Sequence, residues 1–395
     1  MAHQDNNNNT SLTWGGVEAN KGTPDATTTA HRRELYLKLF SGELFKGFQR
    51  NTIARDLITK RTLKNGKSMQ FIFTGRTNSE FHVPGQNILG NTDGAPPVAE
   101  VTIECDDLLI SSAFVYELDE TLAHYDLRGE ISRKIGYALA ENYDRRIFRA
   151  VTKAARQASP ILKTNFVEPG GTQIRVGTNN SGADAYVPAS LVNAFYDAAA
   201  ALDEKGVSGE GRVAVLNPRQ YYELIQDVGS TGVNIINRDT QGTALQSGNG
   251  IVEIAGIKIF KSMNIPFFGK FGTKYGTASA TAPGVTDPGN TGSFVAESMG
   301  DQEASTTPSG QKTVNEYGTE AKFDHSCGLI FQKEAVGCVE AIGPQVQVTS
   351  GDVSVIYQGD VILGRLAMGA KPLNPAAAVE LVAGAAAGAG NNAAF

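Results

Sequence analysis

Cysteine is scarce in this chain: three residues in 395, at Cys105, Cys327 and Cys338. No CxxC pair is present, and the spacing from Cys327 to Cys338 fits no zinc pattern. Each therefore reads as a small buried apolar residue rather than a ligand or nucleophile. The five histidines, His3, His31, His82, His124 and His325, form no HxxxH or HExxH pair, which argues against a metal centre. No apolar run reaches the ~18 residues that a membrane-spanning helix needs. The opening Met-Ala-His-Gln-Asp, followed by Asn6 to Asn9, has neither a cationic nor an apolar leader region. It is not read as a secretory signal, and the chain is expected to stay in the cytoplasm where it is made.

Catalytic signatures are also incomplete. Asn65-Gly66-Lys67-Ser68 has the end of a phosphate-binding loop, but Arg61 stands where the first glycine must be. Without that glycine the backbone N–H groups cannot form the cradle, and the stretch reads as a basic turn. Gly206-Val207-Ser208-Gly209 lacks the last glycine of a nucleophile elbow, because position 210 is Glu. Gly248 and Gly250 lack the third glycine of a dinucleotide fingerprint. Asp106-Asp107 and Asp119-Glu120 offer carboxylates, but adjacent strand residues point to opposite faces, and the second pair suits a helix N-terminus. No enzyme activity, cofactor or metal is expected.

The chain does have enough apolar content for a large core, 41% hydrophobic against 19% charged, and length for two or three domains. Its net charge of −6 is uneven: residues 31–67 carry ten Lys/Arg against three Asp/Glu, leaving −13 on the remainder. An acidic bulk is a poor non-specific DNA binder. The basic segment could touch phosphate, although pairing with acidic surface on a neighbour is the simpler reading.

Residues 1–30, rich in Asn, Thr and Gly, are expected to be a flexible tail. An amphipathic helix is predicted over 33–50, with Leu35, Leu39, Leu44, Phe45 and Phe48 at helical spacing and Phe40 widening the stripe. Such a stripe on an arm suits a grip on another subunit. Residues 68–116 predict a long β-hairpin. Met69, Phe71 and Phe73 fall on one face, and Gln70, Ile72 and Thr74 on the other. Its tip holds turn formers such as Pro84-Gly85. A proline-free helix is predicted over 119–156, and a break near Asp126–Leu127 would divide it into a short and a long helix. After a polar linker at 157–186, an α/β texture follows, with helices at 188–202 and 221–225 and strands at 213–216, 251–254 and 257–260. Residues 267–326, dominated by Gly, Ser, Thr and Pro, read as a surface insertion. Strands resume at 327–331 and 346–348, 360–368 is a last apolar run, and Gly/Ala low complexity closes the chain. The fold class is α+β.

Several ordered motifs carry a resemblance. They are Leu37-Lys38-Leu39-Phe40-Ser41-Gly42-Glu43, Gly66-Lys67-Ser68-Met69-Gln70-Phe71, Gly75-Arg76-Thr77 and Pro84-Gly85. His124-Tyr125-Asp126 with Arg128, Gly256-Ile257-Lys258, Ser262, Ile265-Pro266, Ala367-Met368-Gly369 and Pro375-Ala376-Ala377 continue the series. As a set, covering about 31–266 and 327–380, they resemble major capsid proteins of short-tailed, autographivirus-type double-stranded DNA phages, cyanophages among them. The resemblance implies a Hong-Kong-97-type capsid fold: tail and N-terminal arm at 1–66, extended hairpin at 67–117, and spine helix of a peripheral domain with linker at 118–186. An axial domain would follow at 187–350 with the insertion at 267–326, then a strand and helix returning to the core at 351–382 and a disordered tail from 383.

It also implies self-assembly into hexamers and pentamers of an icosahedral shell. The implied partners are a scaffolding protein, a portal protein, in some shells a decoration protein, and packaged DNA held without sequence specificity. No membrane is involved. Subunit-interface candidates are Leu35, Leu39, Phe40, Leu44 and Phe48 of the arm, Met69, Phe71, Phe73, Arg76 and Pro84 of the hairpin, and Arg128 at the start of the spine. No cross-linking motif is visible, so the shell is expected to be non-covalent. Two other readings stay open: a bacterial compartment shell of the same fold, and an α/β enzyme.

Overall fold

The structure, a computed structural model, describes residues 53–75, 81–85, 97–122, 127–159, 162–163, 166–177, 184–185, 187–225, 253–262, 264–266, 314–318, 323, 326–348 and 356–382. The described chain divides into two units, a smaller one from 108–141 and 342–367 and a larger one from 53–107, 142–341 and 368–382.

The larger unit opens with helix α1 (Ala54–Leu57) and strand β1 (Thr59–Thr62). β1 runs parallel to residues 337–340 of β12 (Val336–Val348). Strands β2 (Ser68–Thr74) and β3 (Val98–Glu104) then pair antiparallel, from Ser68 opposite Glu104 to Thr74 opposite Val98.

The centre of this unit is a six-stranded mixed sheet. Its strands are β7 (Thr172–Arg175), β14 (Ala378–Val382), β11 (Ser326–Gln332), β8 (Arg212–Leu216), β10 (Ile257–Lys261) and β9 (Glu253–Ile254), in that spatial order. β8 reads Arg-Val-Ala-Val-Leu and is buried throughout, as expected of a strand covered on both faces. β9 and β10 join through Ala255 (φ 51°) and Gly256 (φ 75°), a two-residue turn whose positive φ at both positions matches the strand twist. Helix α4 (Pro188–Glu204) begins on a proline whose fixed φ suits the first turn. It buries Leu191, Ala194, Phe195, Ala198 and Leu202 at three-to-four spacing, in one core cluster with Ala214, Leu216, Ile259, Ile330 and Leu381. Helix α5 (Pro218–Ile225), entered through Asn217-Pro218, adds Tyr221 and Leu224.

In the smaller unit, β4 (Leu109–Tyr116) pairs antiparallel with residues 359–366 of β13 (Gly359–Pro372). Helix α2 (Glu117–Leu122) follows β4. The first half of α3 (Leu127–Arg156) buries Ile131, Ile135 and Leu139, and the strand pair buries Ile362 and Leu366. The last half of α3 belongs to the larger unit, where Ile147, Phe148, Val151 and Ala154 are fully buried.

Most elements lie where the sequence places them. Helix is described up to Leu122 and again from Leu127, and residues 123–126, where the break near Asp126–Leu127 is expected, lie outside the described residues. Four expectations are corrected. The hairpin closes at Glu104, and residues 109–116 pair with β13 instead of extending the returning arm. The stretch taken as a linker contains β5 (Leu162–Lys163), β6 (Phe166–Val167) and β7, whose parallel partner is β14. Residues 54–62, grouped with the arm, are built into the larger unit through β1. The end of the expected surface insertion is interior: Asn315, Tyr317 and Phe323 are buried by contacts with residues distant in sequence. The rest of that insertion, at 267–313, 319–322 and 324–325, lies outside the described residues.

Gly369 shows why one motif glycine is needed. A Cβ there would sit 1.9 Å from the Glu104 carbonyl oxygen, so β13 can pass the hairpin foot only without a side chain. Gly369→Ala is expected to destabilise the chain by about 1–3 kcal/mol, read as a lower denaturant midpoint at unchanged slope.

Candidate assembly surfaces

The hairpin has two unlike faces. On one, Met69, Phe71 and Val101 pack with Leu63, Ile103, Val339 and Leu373 of the same chain. Arg61 adds a cation–π contact, its guanidinium carbon 5.2 Å from the Phe71 ring centre. The chain itself thus covers part of the Met69–Phe71–Phe73 face expected to meet a neighbour, and all three side chains stay half-buried. On the other face Ile72 is 74% exposed and Val98 is 61% exposed, and towards the tip Phe81 and Val83 are exposed as well. Sequence alternation missed these. Ile72 was the one available signal, an apolar residue on the face otherwise read as polar.

The remaining candidates fall in different places. Leu35, Leu39, Phe40, Leu44, Phe48 and Arg76 lie outside the described residues. Pro84 is exposed beside Phe81 and Val83. Phe73, half-buried, lines a cleft of about 250 Å³ with Thr74, Glu168, Lys205, Gln332 and Glu334. Arg128 pairs with Asp360 of its own chain at 2.7 Å.

Groups with potential chemistry are bound into the framework. The Lys205 ammonium donates to the Gly170 carbonyl and the Thr172 hydroxyl, and burial lowers its pKa. All three cysteines are free; burial pushes the Cys338 thiol up to about 12 and raises Cys327 too, which keeps both protonated at neutral pH. Asp106 is buried and Asp107 exposed, so this pair does not converge. Among the described residues, no group of three His, Cys, Asp or Glu is placed to hold a metal ion, and no helix is long and apolar enough to cross a membrane.

An inward-packed hairpin with an exposed apolar outer face, a long helix and a mixed central sheet define an α+β protein of the Hong-Kong-97 capsid type. Structural comparison agrees. The capsid structure of the cyanophage P-SCSP1u matches with a TM-score of 0.66 and 30% identity, over 91% of this chain and 96% of that one. The mature capsid subunit of bacteriophage PhiM1 matches with a TM-score of 0.58 at 15% identity, covering 87% and 91%, a likeness of fold alone. The major capsid protein of Escherichia phage T7 is 23% identical over 378 residues, 94% of this chain and 98% of its own length. The family model for Gp10A-like major capsid proteins matches residues 71–382, and the chain belongs to that family. It is a phage major capsid protein, a self-associating subunit of the icosahedral virion shell.

Proposed function

We propose that the chain forms hexamers and pentamers of a shell around double-stranded DNA, and that the outer face of the β2–β3 hairpin is one of its grips on a neighbouring copy. The observation that carries this reading is the exposure of Ile72 and Val98 on a two-stranded ribbon that is already packed on its other side. A two-stranded ribbon is marginal alone, and apolar side chains held outward gain from a second surface. The amphipathic stripe at 33–50 acts as a second grip. The smaller unit and the spine helix serve as scaffold for these contacts, without catalysis. An acidic bulk lets the shell wall hold packed DNA without adhering to it. Assembly proceeds in the host cytoplasm on a scaffolding protein and around a portal, and the mature shell is held non-covalently.

Electron microscopy of the full chain co-expressed with its scaffolding protein tests this reading, beside a chain lacking residues 31–50. The full chain is expected to give uniform closed shells, and the truncated chain partial or aberrant ones. Normal shells from the truncated chain would remove the arm from the assembly grip. Small discrete oligomers from the full chain would count against the shell reading as a whole.

A further inference from the structure

One turn of α3, residues 143–146, gathers contacts from four separate places in the larger unit: residues 53–54, the hairpin foot at Asp106, Asn264 and Tyr317. Tyr143, Asp144 and Arg146 are all buried there. The Tyr143 hydroxyl donates to the Glu340 carboxylate at 2.9 Å, and Arg55 grips that carboxylate at two points, 3.0 and 3.3 Å. Asp144 accepts from the backbone N–H of Ile53 at 2.8 Å and of Ala54 at 3.1 Å. These contacts fix the root of the N-terminal segment. Asp144 also accepts from the Asn264 side-chain amide at 3.4 Å, three residues before the 267–313 stretch begins.

Arg146 lies 3.7 Å from the Asp106 carboxylate at the hairpin foot, and its guanidinium carbon is 5.7 Å from the Tyr317 ring centre. Asp106 in turn collects the returning end of the same stretch. It accepts from the N–H of Val314 at 2.9 Å and of Asn315 at 3.0 Å, from the Asn315 side chain at 2.9 Å and from the Tyr317 hydroxyl at 2.6 Å. The Tyr317 oxygen accepts from the Ala370 N–H at 3.1 Å, which ties β13 into the network.

Nothing in helix formation calls for buried charge at these positions, since the next two residues, Ile147 and Phe148, fill the same interior with apolar side chains. Buried ions are tolerated only when paired, and their directional bonds fix orientation in a way that apolar contact does not. We propose that the Tyr143–Arg146 turn is a clasp. It makes the N-terminal root, the hairpin foot and both ends of the 267–313 stretch hold or release as one cooperative unit. A force applied to the hairpin foot is then felt at residues 53–54 through the helical turn, in addition to the direct contacts of Arg61 and Leu63 with the hairpin.

Hydrogen exchange on the full, unassembled chain tests the clasp independently of shell formation. Tyr317→Phe removes two hydrogen bonds, the one donated to Asp106 and the one accepted from the Ala370 N–H, and leaves the ring over Arg146. It is expected to speed exchange roughly tenfold or more at 53–57 and 264–265 as well as at 314–318, the effect of losing a charge-assisted bond and a neutral one from a shared unit. Asp144→Asn is expected to do the reverse, speeding exchange at 104–106 and 314–318, because coupling between sites is reciprocal. Residues 213–216 of β8 should stay protected in both. Acceleration confined to the neighbourhood of each substitution would overturn the clasp. Uniform acceleration including β8 would overturn it too, because the roots would then only follow global unfolding.

Discussion

Glu380→Ala is expected to cost about 3–5 kcal/mol, a large share of the ~5–15 kcal/mol that holds a typical domain together. Glu380 lies on β14 with no solvent exposure, and Arg156 at the end of α3 forks onto it with two contacts of 2.7 Å. Gln173 of β7 donates to the same carboxylate at 2.8 Å, and the Ser326 hydroxyl of β11 also donates to it. One side chain thus joins the helix to three strands that are far apart in sequence. Alanine deletes the carboxylate but leaves the guanidinium buried, 4% exposed, where water cannot replace the lost partner. Glu380→Gln keeps the shape and loses the charge, so a smaller loss is expected. Denaturant unfolding checks both. If the alanine chain unfolds within ~1 kcal/mol of the parent, the network is not what fixes β14.

The double substitution Ile72→Asp with Val98→Asp is expected to abolish closed shells while leaving the subunit folded. Both side chains point away from the Leu63–Ile103–Val339 cluster, so the unfolding midpoint should move by no more than surface changes usually do, within about 0.5 kcal/mol. In an interface the same carboxylates would have to leave water without partners, at several kcal/mol each, repeated at every subunit contact. Met69→Asp provides the contrast, since it should loosen the hairpin root inside the chain and lower stability directly. Sedimentation and electron microscopy separate the cases. Normal shells from the folded double variant would rule out the outer face as the docking surface.

What the sequence revealed depended on whether the signal was local. β8 was legible because five successive buried residues meet an Asn-Pro helix start, and α4 because its apolar positions recur at helical spacing. β7 was not, because Thr-Gln-Ile-Arg has no apolar alternation and becomes a strand only through its distant partner β14. The hairpin and β4 merged into one predicted arm because both alternate. What separates them is Asp106, whose partners Asn315 and Tyr317 lie 209 and 211 residues away. The proposed assembly surface was half legible for a related reason. Alternation shows that Met69 and Phe71 share a face, but not that Leu63, Val339 and Leu373 cover it. The charges of Asp144 and Arg146 gave no warning of burial, because helical periodicity counts apolar residues and their partners come from elsewhere in the chain.

The pairing of the N-terminal root with residues near 340 also sets a timetable. Arg55 and its carboxylate partner Glu340 are 285 positions apart. At about 5–20 residues per second, a ribosome needs roughly 15–60 s between making the first and supplying the second. Throughout that interval the nascent N-terminal segment has no strand to lie beside. A newly made subunit therefore gains the strand that flanks its root, and the carboxylate that Arg55 grips, only late in translation, after the hairpin and most of the central sheet have been synthesised. Polysomes crowd such half-made chains together, and a protein whose task is to adhere to its own copies benefits when an early-made segment gains its strand partner late.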